Sequence, residues 1–298
     1  MTYMKKRGVL FLLIFSVLTL SAQEIPEKDK ILLSTEEDEI IDNILGDDID
    51  VDQFLKSISS FQFLYFSVDY NTKSYFSGRD IGTDQFNINP QITYIHSSGF
   101  FVGVNGVYYS EFTPKWDYTS LTAGYGQSFG KNKSYNWTSS YASYFYSDGV
   151  DNPFTNAISF GLEITNKKKT LGTELTTTYL FGNDTSFQLI SSNYGIVNLS
   201  KTKEYQLRLR PELNIVIAQQ TIQLARTVTV RGKQFTRKTQ KNDFGLINTQ
   251  LQIPLQLNVG GFDFELGYVV NFPTALEGET GLGITNNINF SVSYLLGF

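Results

Sequence analysis

From Phe61 almost to the last residue the chain alternates, one residue apolar and the next polar, and this period of two constrains its fold more than any other feature. Successive side chains of a β-strand point to opposite faces, so such a pattern describes strands with one apolar and one polar side. Over 204–217, Tyr205, Leu207, Leu209, Leu213, Ile215 and Ile217 share one face, and Gln206, Arg208, Arg210, Glu212 and Asn214 share the other. Over 243–258, Leu251, Ile253, Leu255 and Leu257 stand against Gln250, Gln252, Gln256 and Asn258. Over 85–96, Phe86, Ile88, Ile92 and Tyr94 stand against Asn87, Asn89, Gln91 and Thr93. A polar face built from Asn, Gln and Thr is unlike a sandwich core. It fits a barrel with a wet or hydrogen-bonded lumen and apolar side chains turned outward.

Twelve strands are predicted, near 61–70, 85–96, 100–111, 116–128, 134–146, 154–166, 170–181, 186–199, 204–217, 243–258, 262–272 and 285–298. The first and eighth alternate poorly, and their faces stay unassigned. The connections alternate in length. Those at 96–99, 130–133, 166–169, 200–203 and 259–261 are short. Those at 71–84, 147–153, 218–242 and 273–284 are longer, while 112–115 and 182–185 break the rule. Short periplasmic turns and longer outer loops characterise outer-membrane barrels. The expected fold is therefore all-β, a transmembrane antiparallel up-and-down barrel of about twelve strands, with both termini in the periplasm. Charged residues make up 18% of the chain, below the roughly one quarter usual for soluble domains, and aromatics make up 15%. No stretch reaches the roughly 18 apolar residues of a helical span.

Three segments are expected: a signal peptide over 1–23, an acidic periplasmic segment over 24–58, and the barrel over 59–298. Lys5, Lys6 and Arg7 precede an apolar run from Val9 to Leu20, and Ser21-Ala22-Gln23 offers small residues for cleavage. From Glu24 to Asp52 there are twelve Asp/Glu against two Lys, whereas residues 53–298 are nearly balanced. Ser34-Thr35-Glu36-Glu37 fits a helix capping box, followed by Ile40, Ile41, Ile44 and Leu45 on one helical face. Phe54, Leu55 and Ile58 mark a second short amphipathic piece. Helices this short need a surface to dock on, and a periplasmic or envelope protein is the partner considered for 34–58. Asp48 to Asp52 resembles the start of a calcium loop, but Gln53 replaces the glycine and Ser59 the bidentate glutamate. It reads as an acidic turn, and no metal or cofactor is expected. With no cysteine, thiolate sites and disulfides are excluded.

On the final strand, Ile288, Phe290, Val292, Tyr294, Leu296 and Phe298 share one face, against Asn287, Asn289, Ser291 and Ser293. An alternating last strand ending in Phe resembles the assembly signal of bacterial outer-membrane proteins, with Tyr294, Leu296 and Phe298 at its apolar positions. Together with Ala22-Gln23 and Asn271-Phe272-Pro273, it makes the chain similar to the small porin-like outer-membrane barrels of Bacteroidetes. That resemblance implies a fold and a location, with membrane lipid and the barrel-assembly machinery as partners. It implies no activity.

Parity turns Glu163, Glu174, Arg208, Arg210, Glu212, Asp263 and Glu265 into the lumen. The turn at Lys168-Lys169 sets Glu163 opposite Glu174, and two facing carboxylates repel unless a cation joins them. Arg208 and Arg210 are the expected cations, flanked by Glu174 on one side and by Asp263 and Glu265 on the other. The network is read either as salt-bridged packing that closes the lumen or as a selectivity ring in an open pore. Arg226, Arg231, Lys233, Arg237 and Lys238 make the longest connection a basic outer loop. Ile222, Leu224, Val228 and Val230 alternate in it with polar residues, so the ninth and tenth strands are expected to extend beyond the membrane with Arg231-Gly232-Lys233 as a hairpin tip. Nucleic acid is not expected as a partner, since no aromatic–basic groove accompanies these charges.

No catalytic residue is assigned. His96 and Ser98 resemble part of the site of an outer-membrane phospholipase, but they fall at a turn and Asn105 has inward parity. Three functions stay open: a narrow passive channel for small solutes or ions, an accessory barrel docking an envelope protein, and, third, a barrel hydrolase. Replacing Phe298 with Ala, or deleting it, is expected to lower the amount of heat-modifiable barrel in the outer membrane. Undiminished levels would remove Phe298 from the assembly signal.

Overall fold

The computed structural model describes residues 61–298, except 77, 81, 148–151, 231–232, 276–278 and 280. The expected signal peptide, acidic segment and helices lie outside the described residues. Twelve strands run in chain order: β1 (Gln62–Asn71), β2 (Asn87–His96), β3 (Phe100–Tyr109), β4 (Trp116–Phe129), β5 (Tyr135–Tyr146) and β6 (Phe154–Thr165). Then follow β7 (Leu171–Gly182), β8 (Thr185–Gly195 and Val197–Lys201), β9 (Tyr205–Leu209 and Glu212–Val230), β10 (Lys233–Val259), β11 (Phe262–Pro273) and β12 (Thr285–Gly297). Each pairs antiparallel with the next, and β12 returns to β1 in a register running from Phe63↔Gly297 to Asn71↔Asn289. The sheet is thus closed into a twelve-stranded barrel without an edge, as the period of two predicts.

Two strands are interrupted where the ladder lacks donors. Pro211 and Pro254 have no backbone N–H. Arg210 N donates to Pro254 O at 3.0 Å and Gly195 N to Pro211 O at 3.0 Å, which carries the ladder across the gap. The register survives, since Leu209 faces Leu255 and Glu212 faces Gln252. A bulge follows at Ile247, between the pairs Val216↔Asn248 and Ile217↔Leu246. The extra residue turns inward and is 1% exposed, against Ala218 and Val216.

The barrel has two distinct ends. The turn end carries the short connections at 97–99, 130–134, 166–170, 202–204 and 260–261. Both ends of the described chain lie there, Phe298 N donating to Gln62 O at 3.1 Å. The loop end carries the longer connections. The basic segment is mostly paired: β9 and β10 run on together to Val230↔Lys233, beyond their last partners at Gln188↔Ala218 and Asn248↔Pro273. Residues 231–232 lie between these paired ends.

Among the described residues, forty large apolar side chains are exposed. Isolated exposed apolar residues are ordinary, but a continuous belt of this size demands a non-aqueous surrounding. Its middle is largely aliphatic, with Val68, Ile92, Val104, Leu121, Ile158, Leu175, Ile253 and Leu266 exposed. Aromatic clusters flank it. Near the loop end, Phe86 lies 5.5 Å from Tyr70 and 6.3 Å from Tyr108, and Phe187 lies 5.9 Å from Phe244. Near the turn end the pairs are Tyr125–Trp137, Phe129–Tyr135 and Phe262–Tyr294. Rings with one apolar body and one polar tip suit a boundary between hydrocarbon and water.

Among the described residues most of the buried ones are polar, and Asn271, Asn248 and Ser120 are each 2% exposed. Gly267, inward on β11, lies under the Asn289 side chain, and a Cβ there would collide with that carboxamide. Gly267→Val is therefore expected to cost about 1–3 kcal/mol and to lower the temperature at which heat modifiability is lost. Gly283→Ala, at a site with open space around it, is the control. Equal behaviour of the two variants would show that the lumen wall tolerates repacking at Gly267.

Candidate functional site

The lumen is the candidate site, because the polar faces of all twelve strands converge on it. Near the turn end, Glu163 on β6 faces Glu174 on β7. The sequence predicts a cation between them, but the described contacts of both carboxylates are with neutral donors. Glu163 accepts from Asn136 Nδ2 at 2.7 Å and from the Tyr194 hydroxyl at 2.5 Å. Glu174 accepts from Thr176 Oγ1 at 3.1 Å. Asn136 sits on the adjoining strand β5, Tyr194 reaches from β8 across β7, and Thr176 lies two residues along β7 from Glu174.

Arg210 joins this group indirectly. Its guanidinium lies 4.1 Å from the centre of the Tyr194 ring, and its Nη1 meets Glu212 Oε2 at 2.8 Å. Cation–π and ionic contact thus hold one arginine between an aromatic face and a carboxylate. Arg208 is buried and donates from Nε to Gln256 Oε1 at 2.6 Å. Gln256 passes the chain on, donating to Glu265 Oε2 at 2.8 Å, and Asn289 donates to the other Glu265 oxygen at 3.3 Å. Arg208 and Asp263 also interact electrostatically. The two arginines belong to separate groups, one reaching β8 and β6, the other β10 and β11. Parity sets the direction of each side chain. It does not set which neighbour supplies the partner, and amides intervene between the charges.

The loop end is built differently. The connection after β1 folds into a small hairpin, Tyr75–Phe76 against Arg79–Asp80. Gly78 turns it at φ +77, and a Cβ there would strike Asn248. Arg79 is buried and ties the hairpin down. It donates to Ile247 O at 3.1 Å and Thr274 O at 2.8 Å, and pairs with Glu279 at 3.1 Å. Tyr75 donates to Asn286 O at 2.8 Å, and Thr285 Oγ1 to Gly78 O at 2.7 Å. The carbonyl that receives Arg79 is that of the bulge residue, so the irregularity in β10 supplies the anchor point.

Beneath the hairpin lies a cavity of about 330 Å³, lined among others by Asn71, Asn87, Asn248, Gln250, Asn271 and Asn287. The amides bond to one another: Asn71 to Asn87 at 2.9 Å, Asn248 to Asn271 at 3.0 Å, Gln250 to Asn271 at 2.8 Å and Asn287 to Asn71 at 3.3 Å. A second cavity of about 340 Å³ shares Asn71 and Asn87 and adds Asp69, Asn105, Tyr109 and Tyr118. Tyr118 packs edge-on against Tyr144 at 5.4 Å and Tyr146 at 5.6 Å.

Other predicted residues fall elsewhere. His96 Nδ1 accepts from the Ser98 backbone N–H at 3.1 Å and lies 2.8 Å from Ser98 Oγ, closing a turn. Asn105 points inward and bonds Ser120. Tyr294 packs on Phe262 at 4.6 Å, Leu296 is exposed, and the Phe298 ring lies 6.5 Å from Tyr94. Arg226 faces Arg237, Ala225 faces Lys238 and Val230 faces Lys233 in backbone register. The side chains of the basic hairpin, and Arg231, lie outside the described residues. Arg79, the inward tyrosines and Asp69 were not singled out by sequence reasoning. The Ser-Gly-Arg-Asp stretch at 77–80, set between hydrophobic residues and a strand, is the signal that marks a hairpin turn.

No family model and no curated protein matches the sequence. Among solved structures, the KdgM porin is 9% identical over 79% of this chain and 99% of its own, with a TM-score of 0.43. The NanC porin is 9% identical over 78% and 98%, with a TM-score of 0.44. An outer-membrane channel from Pseudomonas putida F1 is 10% identical over 80% and 95%, with a TM-score of 0.44.

Proposed function

We propose that this chain is an outer-membrane barrel that forms a narrow passive channel for small solutes or ions. The observation that carries the reading is the reversed sidedness of the barrel. Among the described residues its large exposed side chains include forty apolar ones, with aromatic rings towards both ends, and most of its buried ones are amides, hydroxyls and charges. Only a lipid surrounding makes that arrangement favourable, since a closed barrel leaves no backbone group unpaired in hydrocarbon. Polar cavities inside the wall are then the path for a solute. In this reading the turn end faces the periplasm and the β9–β10 hairpin stands outside the cell. The amphipathic helices expected over 34–58 remain the candidate for docking an envelope protein.

Conductance in a planar bilayer tests the reading, on full-length protein and on a variant lacking 24–52. Stepwise ion current from both is the expected result, and a silent, correctly folded barrel would sink the channel. An epitope placed at 231–232 is expected to be reached by antibody on intact cells. Labelling that needs disruption of the outer membrane would invert the orientation.

The inward acids, Asp69 included, outnumber Arg208 and Arg210. Arg208→Ala leaves Asp263 and Glu265 less compensated, so the reversal potential is expected to move towards cations, by about a twofold permeability ratio or more. A large rise in conductance without a change in ion preference would instead identify Arg208 as part of a plug.

A further inference from the structure

We propose that the loop end of the lumen binds an uncharged polyhydroxylated solute, a sugar of one or two rings, on its way through the barrel. This rests on the channel reading and specifies its cargo. Three independent features of the wall point the same way.

The first is the chemistry of the amides. A carboxamide presents two N–H donors and a carbonyl acceptor with two lone pairs. A sugar hydroxyl also donates and accepts, so each can meet an amide in either sense. The bonds of Asn71 with Asn87 and Asn287, and of Asn271 with Asn248 and Gln250, hold these groups in fixed orientations. A pre-set array loses little freedom when a ligand arrives.

The second is the tyrosine patch. Tyr109 and Tyr118 line the cavity that adjoins the amide wall, and Tyr144 and Tyr146 back Tyr118. The C–H face of a sugar ring is apolar and its rim is polar. A phenol ring beside carboxamides offers both kinds of contact to one ligand.

The third is the scarcity of charge. Of the residues lining the two cavities, only Lys73 and Asp69 carry a formal charge at neutral pH. An ion entering so narrow a site gives up hydration for few counter-charges, whereas a neutral solute exchanges hydrogen bonds for hydrogen bonds. The cavities, about 330 and 340 Å³ and meeting at Asn71 and Asn87, have the size of small-molecule sites. The hairpin held by Arg79 limits what enters from above.

Potassium chloride current through the purified full-length barrel, with glucose, sucrose, gluconate or glucosamine added on one side, tests the assignment. Uptake of the same four solutes into proteoliposomes supplies an independent measurement. Glucose or sucrose is expected to reduce the current at lower concentration than gluconate or glucosamine, and to enter vesicles faster. Tyr118→Leu and Asn87→Leu are expected to raise the half-blocking concentration of the neutral sugars about fivefold, the worth of one ring or amide contact. If either variant fails to fold, the ranking of the four solutes on the unmodified protein decides alone. A conducting barrel that responds equally to all four, or most strongly to a charged one, overturns the sugar site and leaves the channel standing. Absence of both current and uptake overturns the two readings together.

Discussion

A strand in hydrocarbon has no water to receive its backbone groups, and the rest of this structure follows from how that need is met. Each strand hands its N–H and C=O groups to the next, and the pairing of β12 with β1 completes the circuit. An open sheet would leave two unpaired edges, each costing several kcal/mol per group in lipid. Closure then fixes the side chains. With the ladder running around a cylinder, one residue in two must face out and the next must face in. Where proline removes a donor, at Pro211 and Pro254, neighbouring groups still carry the ladder across, with Arg210 N on Pro254 O.

The inward face is polar yet mostly neutral, which decides how its charges are held. Glu163 and Glu174 stand opposite one another, and tyrosine, asparagine and threonine donors stabilise them at short range. Arg208 reaches Glu265 through Gln256. Such relays spread a charge over several dipoles without burying an unscreened ion pair, whose desolvation often exceeds its attraction. They also leave the wall smooth, since no long side chain has to cross the lumen to find a partner.

Much of this was legible in the sequence. The alternation fixed the strand number and nearly every boundary, because a one-residue slip would send a leucine such as Leu209 into the lumen and Arg208 into lipid. β1 resisted assignment because Phe63 and Tyr65 point inward beside Ser67 and Asp69, so apolar residues occur on both faces. β8 resisted because Ile190 and Tyr194 face in while Ser191 and Asn193 face out. Arg79 was not legible at all. Its role depends on the carbonyl of a bulge residue 168 residues away, and a local turn signal does not say what the turn packs against. The amide and tyrosine walls were visible as parity but not as neighbours, since which inward residues share a height is set by strand tilt and register.

The β1–β12 seam has a consequence for how the molecule comes into being. Its two strands lie at opposite ends of the described chain, so their ladder is the contact of greatest sequence separation in the barrel. Loop-closure entropy makes such contacts slow to form. Until they do, both strands present bare edges that could recruit another chain. The last strand of the protein is therefore also the last wall to be hung. The interval before it closes is the period in which the chain still carries two open seams.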